Sequence, residues 1–263
     1  MQVKGVPHLW TELKKARSRF LAIDYDGTLA PFRIERMDAF PVKGADVALE
    51  HISHLPGTGV AVISGRPVHE VTTLLGLESV TIIGAHGWEE KKPGQPVRTR
   101  SLSPVQATGL DRAKRLAALL CDSKKIESKA ASVAIHTRGM DTAQTEEIRS
   151  GIKTAWSKFE AEHNLEIRLF NGGIELRAIG WDKGRALETL MGEHPSDTYF
   201  IYIGDDQTDE DAFKALRNRG TGIRVGPEDS QSHATGFLKD CEAVAAFLDF
   251  WLETFGHKNT EGF

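Results

Sequence analysis

The chain has 263 residues, 40% of them hydrophobic, and a formal net charge of −4, so it can bury a core as one large domain or two small ones. Mild acidity, with no basic run and no aromatic-basic interleave, points away from nucleic acid and anionic membrane as partners. Cys121 and Cys241 show no CxxC or metal-ligating spacing, which suits free thiols in a reducing compartment. With no apolar signal core in residues 1–19 and no stretch of membrane-spanning length, a soluble cytoplasmic protein is expected.

Residues 9–19 read as a short amphipathic helix. An apolar run at 20–23 follows and ends abruptly in Asp24-Tyr25-Asp26-Gly27-Thr28-Leu29. A run without polar alternation reads as a buried parallel strand, and such strands end at the edge where α/β sheets place their ligands. Asp24 and Asp26 can face one region, since side chains alternate along extended backbone, and Gly27 permits a sharp turn. Residues 30–41 are irregular and 45–54 read as a helix. A second buried strand at 59–63 ends in Ser64-Gly65-Arg66-Pro67, where Pro67 signals the start of a helix over 68–75. A third strand at 80–83 ends in Gly84-Ala85-His86-Gly87.

The texture changes at Lys91-Lys92-Pro93-Gly94, a hinge-like segment. A helix over 104–121, strands at 124–128 and 132–137, and a helix from Asp141 or Thr142 to 163 come next. A hairpin of 165–170 and 174–178 turns across Asn171-Gly172-Gly173. Helices at 183–191, 210–218 and 243–255 and strands at 199–203 and 221–225 then resume the α/β pattern. The expected architecture is α/β: a doubly wound parallel sheet formed by 1–90 and 180–263, with an αββαββ cap inserted at 91–179.

The strand at 199–203 ends in Gly204-Asp205-Asp206-Gln207-Thr208-Asp209-Glu210. Acids clustered at two strand ends cannot all stay ionised and unpaired, and a bound cation would remove the conflict. Hard oxygen donors without nearby His or Cys favour Mg²⁺ over zinc. Lys183 stands at a helix start, the wrong end for a cation, and phosphoryl transfer needs fixed positive charge where anionic charge collects. Ser64 and the Gly65 amide could bond phosphate oxygens at a helix N-terminus.

Asp24/Asp26, Ser64, Lys183 and Asp205/Asp209 match, in order, the four motifs of the haloacid-dehalogenase-type phosphatases. Segments 24–29, 64–67, 84–87 and 204–213, with cap segments 127–129, 136–138 and 171–177, resemble the trehalose-phosphatase family. The resemblance implies a Rossmann-like core and hydrolysis of trehalose 6-phosphate through an aspartyl-phosphate. It makes Asp24 the nucleophile and Asp26 the general acid/base, with Lys183 and Asp209 completing the catalytic set. It also implies that Asp24, the Asp26 carbonyl and Asp205 hold Mg²⁺. Thr28, Ser64, Gly65, Arg66 and His86 fall on the substrate side, although Arg66 either holds phosphate or pairs with an acid. Glu127, Lys129, His136, Arg138 and Glu175 are the candidates for reading the sugar. The family often has an aromatic residue where Thr137 stands and a lysine where Gly173 stands. A separate trehalose-6-phosphate synthase is the expected functional partner. The competing readings are another sugar-phosphate phosphatase or phosphosugar mutase, and an idle sugar-phosphate sensor.

Overall fold

The computed structural model describes residues 1–170 and 172–256, which divide into two units, 1–98 with 182–256 and, apart from 171, 99–181. In chain order the elements are α1 (Leu9–Lys15), β1 (Arg19–Ile23), α2 (Ala45–Ser53), β2 (Thr58–Ile63), α3 (Val68–Leu75), β3 (Thr81–Gly84), β4 (Glu89–Lys91) and β5 (Arg98–Thr99). The smaller unit follows with α4 (Pro104–Ala117), β6 (Ile126–Ser128), β7 (Ser132–His136), α5 (Thr142–His163), β8 (Leu165–Phe170) and β9 (Gly173–Ala178). The chain closes with α6 (Lys183–Glu193), β10 (Tyr199–Gly204), α7 (Glu210–Leu216), β11 (Gly220–Val225), β12 (Gly236–Leu238) and α8 (Cys241–Phe255).

The larger unit holds a sheet in the order β12-β11-β10-β1-β2-β3-β4-β5, parallel from β12 to β3. Its central strands bury both faces, which is why they read as unbroken apolar runs. Leu21, Ile23, Val60, Val62, Ile201 and Ile203 pack on one side with α1, α2, α3 and α8. Their alternates Phe20, Ala22, Ala61, Ile63, Phe200 and Tyr202 pack on the other with α6 and α7. The order reverses between β1 and β10, which are paired in register from Arg19↔Tyr199 to Ile23↔Ile203. Such a reversal opens a crevice at the carboxyl ends of the strands.

The smaller unit is an antiparallel sheet, β6-β7-β9-β8, with α4 and α5. Val133, Ile135, Ile174 and Leu176 are buried, as are Leu110, Ala113, Ile152, Trp156 and Phe159 of the helices. The other face carries the alternate, polar residues.

Several boundaries differ from the sequence expectation. The chain does not leave the larger sheet at Lys91: β4 turns back antiparallel on β3, so the units part after Arg98. α7 ends at Leu216 because Arg217 takes a left-handed φ of 47°. α4 ends at Ala117, short of 121. β12, three residues long, extends the sheet edge beyond β11. Asn171, at the expected hairpin turn, lies outside the described residues. No helix among the described residues is long and apolar enough to cross a membrane.

Candidate active site

The backbone of β1 and β10 stays paired one step past Ile23: the Asp24 N–H donates to the Ile203 carbonyl at 2.8 Å. Asp24 therefore leaves the sheet beside the loop that starts at Gly204. The next turn, where Gly27 donates to Ala30 O at 2.7 Å, brings Gly27 against Asp205. A Cβ at Gly27 would stand 2.2 Å from Asp205 Oδ2, and its φ is +80°. Only glycine lets the two loops approach this closely.

Lys183 links the two loops. It is 3% exposed, and its Nζ lies 2.7 Å from Asp24 Oδ1 and 2.8 Å from Asp209 Oδ1. Asp182 caps α6 by accepting from the Arg185 N–H at 2.7 Å, which fixes the turn that carries Lys183. Asp209 is fully buried and receives four donors. Oδ1 takes Lys183 and the Tyr202 hydroxyl (2.5 Å); Oδ2 takes the amides of Asp205 (3.0 Å) and Asp206 (2.9 Å). A carboxylate so occupied holds the lysine and the loop in place.

Asp24, Asp205 and Asp209 each offer an oxygen, all within 4.8 Å of one another. Burial pushes Asp24 up to about 8, against the pull of Lys183 and with Asp209 adding to the rise. Burial likewise pushes Asp205 up to about 9, reinforced by Asp24 and Asp209. Burial alone would lower the Lys183 ammonium, but Asp209 and Asp24 override it and raise its affinity for the proton. Three carboxylates around one ammonium leave the cluster short of positive charge. The buried Asp205 Oδ1 has no hydrogen-bond partner. An all-oxygen donor set with an orphaned carboxylate oxygen fits a hard divalent cation.

Asp26 points to a different neighbour: both its oxygens are gripped by Arg66. Thr28 is fully buried and its hydroxyl has no partner. Ser64, 1% exposed, accepts from the Arg66 amide at 3.1 Å through Oγ and from the His86 amide at 3.0 Å through its carbonyl. The His86 ring lies against Gly65, where a Cβ would be 2.6 Å from the ring. Ala85 and His86 both take left-handed φ, 48° and 56°, strain that such a loop stores at functional sites.

In the smaller unit, Glu127 on β6 pairs with Ala134 on β7, and Ala134 pairs with Glu175 on β9, which puts the two glutamates and His136 on one face. Glu175 Oε1 accepts from Lys129 Nζ at 2.9 Å and from the Ser132 hydroxyl at 2.7 Å. Lys129 also lies 3.8 Å from Glu127 Oε2, and His136 Nε2 lies 2.7 Å from the same oxygen. Arg138 packs against Gly172. Gly173 cannot be the family's lysine here, because its Cβ would stand 2.1 Å from the Ile135 carbonyl.

The expected residues thus gather into a core group and a cap group. Sequence reasoning passed over Tyr202, Glu70 and Arg36. Tyr202 reads as one more core residue of an apolar strand; only its place two residues before Gly204 hinted that the hydroxyl would reach the acidic loop.

A family model described as Trehalose-phosphatase matches residues 22–241. A probable trehalose-phosphate phosphatase 4 of Oryza sativa is 29% identical over 86% of this chain and 64% of that protein. A bifunctional trehalose-6-phosphate synthase/phosphatase of Thermoproteus tenax is 31% identical over 86% of this chain and 31% of that protein. The chain thus spans less than two thirds of these curated relatives. The fold superposes on the C-terminal domain of C. albicans trehalose-6-phosphate phosphatase with a TM-score of 0.80 and 22% identity, covering 97% of each chain.

Proposed function

This chain belongs to the trehalose-phosphatase family, and from that premise we propose that it hydrolyses trehalose 6-phosphate to trehalose and phosphate with Mg²⁺ as cofactor. The observation that carries the reading is Lys183 bridging Asp24 and Asp209 beside the unpartnered Asp205 Oδ1. Asp24 and Asp205, with the main-chain carbonyl of Asp26, would hold the cation. Bound there, it would offset the charge of the phosphate so that an anionic carboxylate can approach.

Asp24 attacks phosphorus: a carboxylate oxygen–phosphorus bond forms and the ester oxygen–phosphorus bond breaks. Asp26 gives its proton to the departing sugar oxygen, then takes one from the water that cleaves the aspartyl-phosphate. Lys183, fixed by Asp209, supplies constant positive charge beside the nucleophile. The Thr28 and Ser64 hydroxyls and the Gly65 amide bond the phosphate oxygens, with His86 beside them. The cap cluster of Glu127, Lys129, His136, Arg138 and Glu175 reads the sugar, since carboxylates and fixed donors suit hydroxyl groups. The substrate would be supplied by a separate trehalose-6-phosphate synthase, and the free state of Cys121 and Cys241 suits a cytoplasmic setting.

Phosphate release from a panel of sugar phosphates, with and without Mg²⁺, tests the reading. Release from trehalose 6-phosphate far above other esters, lost with chelator, is expected. Isomerised product without free phosphate, or no turnover of any ester, would overturn it.

A further inference from the structure

Arg66 is 4% exposed, and four of the five N–H donors of its guanidinium are met by protein acceptors. Its Nε and Nη2 donate to the two oxygens of Asp26 at 2.6 and 2.7 Å. Its Nη1 donates to the Arg36 carbonyl at 3.0 Å and to Glu70 Oε2 at 3.2 Å. Glu70 is held in turn by Arg36 Nη2, at 2.9 and 2.7 Å. The guanidinium also sits 5.6 Å from the Tyr25 ring. A fork with four of its donors on protein acceptors is committed to Asp26, Glu70 and the Arg36 carbonyl in this arrangement. A bidentate fork does, however, fix the plane of the carboxylate it grips and leaves one lone pair on each oxygen pointing away from it.

We propose that Arg66, braced by Glu70 and Arg36, is the positioning residue that aims the Asp26 carboxyl at the reacting oxygens. The proposal rests on Asp26 being the acid/base of the reaction described above. It gives the irregular segment around Arg36 a purpose: that segment and α3 together set the direction of a group that the β1 loop alone leaves free to turn.

The test separates the two chemical steps. p-Nitrophenolate leaves without a proton, so the first step on p-nitrophenyl phosphate needs little help from Asp26, whereas hydrolysis of the aspartyl-phosphate needs it for every substrate. Arg66→Met and the milder Glu70→Gln are examined with Mg²⁺ by rapid mixing. The expected result is a burst of p-nitrophenol with slowed turnover after it, and a fall in kcat on trehalose 6-phosphate of about 10²-fold for Arg66→Met, the lower end of an acid/base contribution, with KM little changed. Arg66→Lys, which cannot grip both oxygens, recovers only part of the loss. Glu70→Gln, expected to stay folded, shows the same pattern more weakly. Asp26→Asn is the reference. If it shows the burst and the Arg66 and Glu70 variants slow both steps alike, or leave both unchanged, the inference fails while the acid/base reading stands. If Asp26→Asn turns over like the wild type, the acid/base reading fails and takes the inference with it.

Discussion

Each of the two units buries a set of acids around one lysine, but the charge is balanced differently. In the larger unit Lys183 faces Asp24 and Asp209 with Asp205 beside them, and burial drives the proton affinities of Asp24 and Asp205 upward. In the smaller unit Lys129 faces Glu175 and Glu127, while Ser132 and His136 bond the same two carboxylate oxygens, Glu175 Oε1 and Glu127 Oε2. The first set has three carboxylates to one ammonium and sits where parallel strands end; the second has two carboxylates to one ammonium, with a hydroxyl and an imidazole beside them, and lies across the face of an antiparallel sheet. The contrast teaches that clustered buried acids mark reaction chemistry when their charge is left uncompensated. A cluster with more hydrogen-bond partners for each acid offers fixed donors and acceptors instead, as suits the sugar-reading role proposed for it.

Removing Asp24 should break the contrast most completely. Asp24→Asn is expected to lower phosphate release by at least about 10³-fold, because a nucleophile has no substitute. Thermal melting of this variant should not fall, since a neutral amide relieves the crowding that raises its neighbours' proton affinity. Next in size, Lys183→Met leaves Asp24 and Asp209 facing each other without their shared cation. Breaking a buried pair costs about 3–5 kcal/mol, and urea unfolding should report a loss of that order along with lost turnover.

On the cap side the effect should be smaller and selective. Glu175→Gln is expected to raise KM for trehalose 6-phosphate by about tenfold, the worth of one charge-assisted hydrogen bond, and to spare p-nitrophenyl phosphate. Equal losses on both substrates would remove Glu175 from sugar recognition. The last expected effect is read on stability against pH rather than on turnover. Asp24 and Asp205 bind protons in the folded protein up to about 8 and 9 but would release them near 3.9 when unfolded. The folded state therefore holds more protons across that window, and metal-free stability should decline as pH rises through it. Mg²⁺ should restore melting temperature most at the alkaline end. A metal-free melting temperature that climbs over the same range would contradict the balance described for the core cluster.

How much of this was legible beforehand follows from what each residue shows locally. Asp24, Asp26, Asp205 and Asp209 stand out because they end apolar runs and occur as two separate strand-end clusters; either cluster alone also suits a turn or a helix N-cap. Glu175 and Glu127 were reached only through the resemblance of their segments to the family's cap segments, since charged residues on short strands otherwise read as solvated. Glu70 and Arg36 carry no such mark: a glutamate in the first turn of α3 and an arginine in an irregular segment read as solvated charges until Arg66 is seen between them. Glu210 also reads as an ordinary helix-start acid, yet it accepts from Arg224, Ser232 and the His233 amide and ties down the loop after β11. β4 and β12 were missed because three residues are too few to display a period. The pairing that makes them strands comes from β3 and β11, not from their own residues.

The most direct test of the central claim is chemical capture of the covalent intermediate. Enzyme mixed with trehalose 6-phosphate and Mg²⁺, quenched in acid within the first turnover and digested, should carry a phosphoryl group on the peptide containing Asp24, and Asp24→Asn should carry none. Phosphate released at full rate with no phosphoryl group on that peptide, or with one on another residue, would contradict the assignment of Asp24 as the nucleophile.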